Sequence, residues 1–231
     1  MSCKTLADGI HHFTCFPSFV RAGFSSREFP RARYEDFLTG LSLKMDDLVM
    51  VEQVHGREIF VAEAPTRGRM EVEADGLVTD RVGLVLGIRT ADCVPIFFSS
   101  ERTRSIGMVH GGRKGIRAGI ISQVIQVMRN RYRADPSELI VAIGPCIRQC
   151  CYEVGEETLD GFSGFYHSAN RGKAYLDLVG KVGAELVGSG VAPNRIYDCE
   201  ICTACRNDSF YSYRRERGTS ERILNVISLV G

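Results

Sequence analysis

Leu84-Val85-Leu86-Gly87-Ile88-Arg89-Thr90-Ala91-Asp92-Cys93-Val94-Pro95-Ile96-Phe97-Phe98-Ser99 is the stretch on which the fold turns, and Ser105-Ile106-Gly107-Met108-Val109-His110 extends it. Its β-rich apolar runs, 84–90, 94–99 and 105–110, follow one another across short connections and read as strands buried on at least one face. The polar chemistry sits at their ends, with Asp92 and Cys93 between the first two runs and His110 closing the third.

Upstream, Asp47 to Val54, Glu58 to Ala62 and Gly76 to Thr79 read as further strands. Downstream the period changes. Ile116, Ile120, Ile121, Val124, Ile125 and Met128 recur at three and four residues, predicting one helical stripe through Arg131. Leu139 to Ile143 reads as a strand, Lys173 to Val187 as a second helix ending at Gly188 or Gly190, and Ile223 to Leu229 as a closing strand. Clustered strands with few interposed helices predict an α+β arrangement with mixed sheets rather than a regular doubly wound parallel fold.

At 231 residues and 44% hydrophobic, the chain can bury a full core, and with no repeat, low-complexity tract or pooled linker it reads as one domain over 1–231. Lys+Arg 29 against Asp+Glu 28 leaves a formal charge of +1, so no general field draws in nucleic acid, and a small-molecule partner is expected. Met1 to Val20 lacks the unbroken apolar core of a secretory signal, and no run approaches the ~20 apolar residues of a membrane span. The nine cysteines are therefore expected to be reduced thiols of a cytoplasmic protein.

Three residues stand out: His55 in Gln53-Val54-His55-Gly56, Cys93 and His110. Two imidazoles and a thiolate at strand ends are the donor set for a zinc ion with one open position, the pattern of a catalytic site. Gly56 and Gly111-Gly112 permit the sharp turns and close approach such a pocket needs. Asp92 is read as a group that orients a histidine, moves a proton or caps the turn. The run Gly111-Gly112-Arg113-Lys114-Gly115 leads into the helix and is read as an anion-binding loop, without the Gly-Lys-Ser/Thr ending of a Walker motif. Cys199, Cys202 and Cys205, with Cys146, Cys150 or Cys151, offer partners for a structural zinc site. Adjacent Cys150-Cys151 would point to opposite faces if extended, so buried thiols are expected instead.

These motifs resemble the laccase-domain, polyphenol-oxidase-like family, whose members are also described as purine nucleoside phosphorylases and as a peptidoglycan editing factor. The resemblance spans most of the chain. It includes Ala74-Asp75-Gly76-Leu77-Val78-Thr79, Thr90-Ala91-Asp92-Cys93-Val94-Pro95, Gly144-Pro145-Cys146-Ile147, Cys150-Cys151-Tyr152-Glu153-Val154-Gly155, Cys202-Thr203-Ala204-Cys205 and Phe210-Tyr211-Ser212-Tyr213-Arg214-Arg215. It implies mixed sheets layered between helices, as in an α/β/β/α sandwich. His55, Cys93 and His110 then correspond to the family's metal triad, assigned zinc or, in some members, copper. After the second histidine the family typically has Ala-Gly-Trp-Arg-Gly, so Arg113 here stands where a tryptophan is usual.

The leading expectation is a zinc-dependent purine nucleoside phosphorylase and adenosine deaminase. Cys93, His110 and Asp92 would be catalytic, and Gln53, Arg113, Lys114 and Arg214 would hold substrate and phosphate. The rivals are a Cys93–His110 hydrolase or amidase of peptidoglycan precursors, a copper phenol oxidase, and a non-enzymatic zinc module. Tyr152 and Tyr213 are read as packing.

Overall fold

The computed structural model describes residues 3–5, 9–66, 71–169 and 172–231. The three decisive runs become strands Val85–Thr90, Val94–Ser100 and Ser105–Gly111. The second and third form one antiparallel hairpin, with Phe97 opposite Met108 and Pro95 opposite His110. The first belongs to a different sheet, so the chain changes layers at the Ala91-Asp92-Cys93 turn.

One sheet places its strands in the order Cys3–Thr5, His11–Phe13, Val20–Phe24, Ile223–Leu229, Val85–Thr90, Leu48–Val49. Its last pairing is parallel and the others are antiparallel. The second sheet runs Ile196–Asp198, Ile140–Ile143, Val94–Ser100, Ser105–Gly111, Gly76–Thr79, Ile59–Val61, with parallel pairings at its two edges. Glu153–Gly155, Lys173–Leu176 and Tyr166–Ser168 make a small third sheet.

Alternation along the strands explains the layering. Leu86, Ile88 and Ile227 of the first sheet pack with Phe97, Ile106 and Met108 of the second, filling the space between the sheets. The intervening residues face outward: Val85, Leu224 and Val226 meet Phe37 and Leu38 of helix Tyr34–Gly40. On the far side Ile96, Phe98 and Val109 meet helices Ile120–Tyr132 and Leu178–Gly188. Phe97 and Phe98 are both fully buried on opposite faces of one strand, each contributing roughly 2–3 kcal/mol of hydrophobic stabilisation. The result is the mixed α+β sandwich, helix over sheet over sheet over helix, that the patterning and the resemblance led us to expect. Among the described residues no helix is long and apolar enough to cross a membrane.

Two helical expectations are corrected. The stripe from Ile116 is two helices, Arg113–Arg117 and Ile120–Tyr132, because Gly119 takes a left-handed φ of 85° between them. Both halves bury the same apolar face, so periodicity did not register the break. Lys173–Leu176 is a strand, and the helix begins only at Leu178, where the Asp177 side chain accepts the Gly180 N–H. The run Asp47 to Val54 pairs as a strand only at Leu48–Val49, with an isolated bridge at Glu52.

Candidate metal centre and active-site cavity

His55, Cys93 and His110 lie on three separate segments, and their ligand atoms all fall within 4.8 Å of one another. Cys93 Sγ is 3.9 Å from His55 Nε2, and the two imidazoles meet edge to face with centroids 4.8 Å apart. Tetrahedral zinc with one sulfur and one nitrogen ligand would set that pair about 3.6 Å apart, so a shift of a few tenths of an ångström closes it. His55 is exposed, Cys93 half-buried and His110 buried, which leaves one side of the triad open to solvent.

The organiser of the triad is Asp75, of the motif Ala74-Asp75-Gly76-Leu77-Val78-Thr79. Its carboxylate is buried, and Oδ1 accepts from His110 Nδ1 at 2.7 Å and from the His55 backbone N–H at 3.0 Å. Oδ2 accepts from the N–H groups of Gly56 at 2.6 Å and Val54 at 3.2 Å. One side chain thus orients one imidazole and shapes the turn that carries the other. With Nδ1 engaged, His110 keeps Nε2 for the metal side, the carboxylate–histidine support common in metal sites. The signal available in the sequence was an acid directly preceding the fully buried strand Gly76–Thr79.

The electrostatics follow. Burial opposes ionisation of Cys93, but the His110 charge and hydrogen bonds from both histidines outweigh it, drawing the thiol down to about 6. Burial likewise opposes the imidazolium at His110, yet the Cys93 thiolate and the Asp75 hydrogen bond raise it to about 9. Asp75 also resists burial, and hydrogen bonds from His110 and the Gly56 backbone hold it below its ordinary range. A thiolate beside a cation-seeking cluster is the form that binds a soft or borderline metal.

Two ligand-bearing turns are backbone exceptions, with φ of 60° at His55 and 87° at Asp92. Asp92 is pinned from two directions, Oδ1 accepting from Thr203 Oγ1 and Oδ2 from the Arg214 N–H, each at 2.7 Å. Gly112 serves packing: a Cβ there would lie 2.8 Å from His55 Cδ2 and 3.6 Å from Cys93 Sγ. Gly115 similarly abuts the Gly56 carbonyl.

The triad floors a cavity of about 870 Å³, within the size range of small-molecule sites. Its walls include Arg89, Tyr152, Tyr213, Arg214 and Arg222. Arg89 and Arg222 are half-buried, and burial, Arg31 and Arg222 hold the Arg89 guanidinium below its usual value against the opposing effect of Tyr34. The guanidinium of Arg214 lies over the Tyr152 ring at 5.4 Å from its centroid. Tyr213, in the same wall, is 57% exposed.

Several expected contacts land elsewhere. Arg113 and Lys114 do not line the cavity; Arg113 Nη1 donates to the Thr158 carbonyl and Lys114 is exposed. Of the glycines before them, Gly112 makes room for the His55 imidazole and Gly111 for Val94. Gln53 reaches the cavity wall, but its amide is spent on Arg89, Nε2 donating to the Arg89 carbonyl at 2.9 Å and Oε1 accepting its N–H at 2.8 Å. Arg89 and Arg222, the cations that do face the cavity beside Arg214, were missed because a lone arginine in or before a strand carries no sequence signal.

The family described as multi-copper polyphenol oxidoreductase laccase matches residues 28–230. The chain is 33% identical over 202 residues, 81% of its length and 74% of the relative's, to the purine nucleoside phosphorylase YlmD of Geobacillus stearothermophilus. It is 34% identical over 190 residues to the adenosine deaminase RL5 of an unknown prokaryotic organism, covering 76% of this chain and 72% of the relative. The crystal structure of the Geobacillus stearothermophilus YlmD superposes with a TM-score of 0.93 at 28% identity, covering 100% of this chain and 99% of that one. With the matched span running from the first helix to the last strand, the chain belongs to the multi-copper polyphenol oxidoreductase laccase family.

Proposed function

We propose that the chain is a zinc-dependent enzyme of purine nucleosides, cleaving the N-glycosidic bond with phosphate and deaminating adenosine. The observation that carries this reading is the cavity itself, with a thiol and two imidazoles on its floor and Arg89, Arg214 and Arg222 in its walls. The names of the relatives, purine nucleoside phosphorylase and adenosine deaminase, support the same substrate class.

His55, Cys93 and His110 would hold the zinc, which when bound supplies a Lewis acid at the cavity floor. In phosphorolysis a phosphate oxygen attacks the anomeric carbon, the C–N bond breaks, and its electron pair leaves on the purine, which takes up a proton. Arg89 and Arg222, with Arg214, hold the phosphate and offset its charge, and the low dielectric of a half-buried wall strengthens that pairing. Tyr213 and Tyr152 offer the flat faces a purine stacks against. Asp75 keeps His110 in one tautomer and orientation. Asp92 acts as a positioning residue, since both oxygens already accept hydrogen bonds that tie the Cys93 turn to Thr203 and Arg214.

The test is to incubate the protein with adenosine and phosphate and follow adenine, hypoxanthine, inosine and ribose 1-phosphate, beside Cys93→Ser, His110→Ala and Arg222→Ala. The first two variants should lose turnover, whereas Arg222→Ala should raise the KM for phosphate about tenfold or more, as loss of a charge-assisted hydrogen bond predicts. Products unchanged by Cys93→Ser and His110→Ala would sink the site.

One observation favours a second reading. The lowered Cys93 thiol, the raised His110 imidazole and Asp75 behind it form a nucleophile–base–orienter array, as a cysteine hydrolase requires. Chelation separates the two: the zinc reaction would stop, whereas amide cleavage through Cys93 would persist or increase. A multicopper oxidase has less chemical support, because it needs more imidazoles than the five in this chain.

A further inference from the structure

We propose that Cys150, Cys151, Cys202 and Cys205 form a second metal site, a closed tetrathiolate centre for a structural zinc ion that clips one wall of the cavity to the fold. The thiols are not buried and separated as expected: Cys150 and Cys205 are exposed, and the four sulfurs converge. Residues 149–151 form a turn rather than an extended strand, so the adjacent pair does not split to opposite faces. The thiols of Cys150 and Cys151 both reach the turn that begins at Cys202.

The sulfurs have the spacing of a coordination cage. Cys150 Sγ lies 3.8 Å from Cys151 Sγ, 3.7 Å from Cys202 Sγ and 3.6 Å from Cys205 Sγ, and Cys151 and Cys205 are 3.4 Å apart. All four lie within 4.8 Å of one another. A zinc–sulfur bond of 2.3 Å in a regular tetrahedron sets its edges at about 3.8 Å, close to these values. A disulfide would need sulfurs at about 2.05 Å. Cys202 is buried while Cys150 and Cys205 are exposed, so the cage sits at the surface with an entry path. Backbone N–H groups of Arg148 and Cys205 donate to Cys202 Sγ, the outer-shell support a metal-bound thiolate draws on. Four thiolates leave no open position, which makes the site structural, and the set selects zinc over the hard oxygen-seeking cations. Cys146 and Cys199 take no part: Cys146 is buried against the helices, and Cys199 packs towards the inter-sheet core.

What the centre joins gives it a purpose. Segment 146–152 and segment 201–205 already touch, Cys146 N–H donating to Ile201 O at 3.3 Å and Thr203 N–H to Cys146 O at 3.0 Å. Ile147 and Tyr152 from the first segment line the cavity, and Thr203 from the second grips Asp92. Closing the cage therefore fixes the cavity wall and the Cys93 turn from behind, whichever reaction the cavity performs.

The experiment counts zinc in protein purified under reducing, anaerobic conditions, with the triad disabled by Cys93→Ser/His110→Ala so that only the new centre contributes. That variant should retain one tight equivalent per chain. Further substitution of Cys202→Ser/Cys205→Ser should remove it, as should the milder Cys150→Ser if the double change does not fold. Cobalt added to the metal-free triad variant should give the intense thiolate-to-metal absorption and tetrahedral bands of an all-sulfur site. With the triad intact, loss of the tetrathiolate centre should raise KM more than it lowers kcat. No retained metal in the triad variant, or a Cys151–Cys205 disulfide in anaerobically prepared protein, would overturn the proposal; a tight equivalent of iron in place of zinc would overturn the choice of metal.

Discussion

Replacing Asp75 with asparagine tests the organisation of the site at its most connected atom pair. The substitution keeps the shape but leaves one acceptor oxygen where there were two, each serving two donors. Whichever way the amide turns, its NH₂ faces two N–H groups, from His110 and His55 or from Gly56 and Val54. Two hydrogen bonds to a charged acceptor, each worth about 1.5–3 kcal/mol, are lost. The exposed Val54–His55 turn recovers part of this by facing water, so we expect a net destabilisation of roughly 3 kcal/mol. Zinc affinity at the triad should fall between about tenfold and a hundredfold, the usual cost of losing the group behind a metal-bound histidine. Urea unfolding measures the first effect. Competition with a chromophoric chelator measures the second, and there one tight site should weaken while the tetrathiolate site holds. The sign of the pH effect is also set. Asp75 lies below its ordinary 3.8 in the folded chain, so its stabilisation is complete above that value and is lost as pH falls through the folded one. Asp75→Asn should flatten that acid limb. Wild-type zinc affinity together with stability within about 0.5 kcal/mol of the parent would refute the reasoning.

Gly112→Ala should push the His55 imidazole from its place, because the added methyl would lie 2.8 Å from Cδ2. Metal affinity and turnover should drop together while thermal unfolding shifts little, and crystallography of the variant would read the displacement. His11 stacks on Phe24 with centroids 5.0 Å apart, and burial, then the charge of Arg206, lower it to about 4. Its folded value lies below the unfolded 6.5, so its contribution is intact above that pH and is lost as pH falls towards 4. His11→Phe should abolish that component of the stability–pH curve between about pH 6.5 and 4, measured by urea midpoints across the range.

The central strands were legible because alternation and burial agree there: 85–90, 94–100 and 105–111 each bury every second side chain in a different layer, so β-branched and aromatic residues run without interruption. The strand Lys173–Leu176 was not, since Ala174 and Leu176 continue into Leu178, Val182 and Leu186 at spacings a helix also satisfies. The N-cap at Asp177 is the only local mark of the change. His55, Cys93 and His110 were legible as donor chemistry beside glycines. Of the loop after His110, Gly111 and Gly112 could not be read locally as packing glycines, because the Val94 and His55 atoms they make room for come from distant segments. Arg89 and Arg222 become a pair only when Val85–Thr90 and Ile223–Leu229 lie side by side, with Ile223 opposite Thr90. No local pattern encodes that. The cage of four thiols was obscured by assuming an extended backbone at Cys150-Cys151.

The strand order of the first sheet also sets a timetable. Ile223–Leu229 lies between Val20–Phe24 and Val85–Thr90, so the ribosome delivers the centre of that sheet after both of its neighbours. Until it emerges, those neighbours present unpaired edges to solvent or to other nascent chains, a period of exposure to aggregation that chaperones would have to cover. Arg222 and Arg214 arrive in the same late segment. A partly synthesised chain can carry both histidines and the cysteine of the triad together with Arg89, but the wall that Arg214 and Arg222 complete waits for the strand Ile223–Leu229 to slot in.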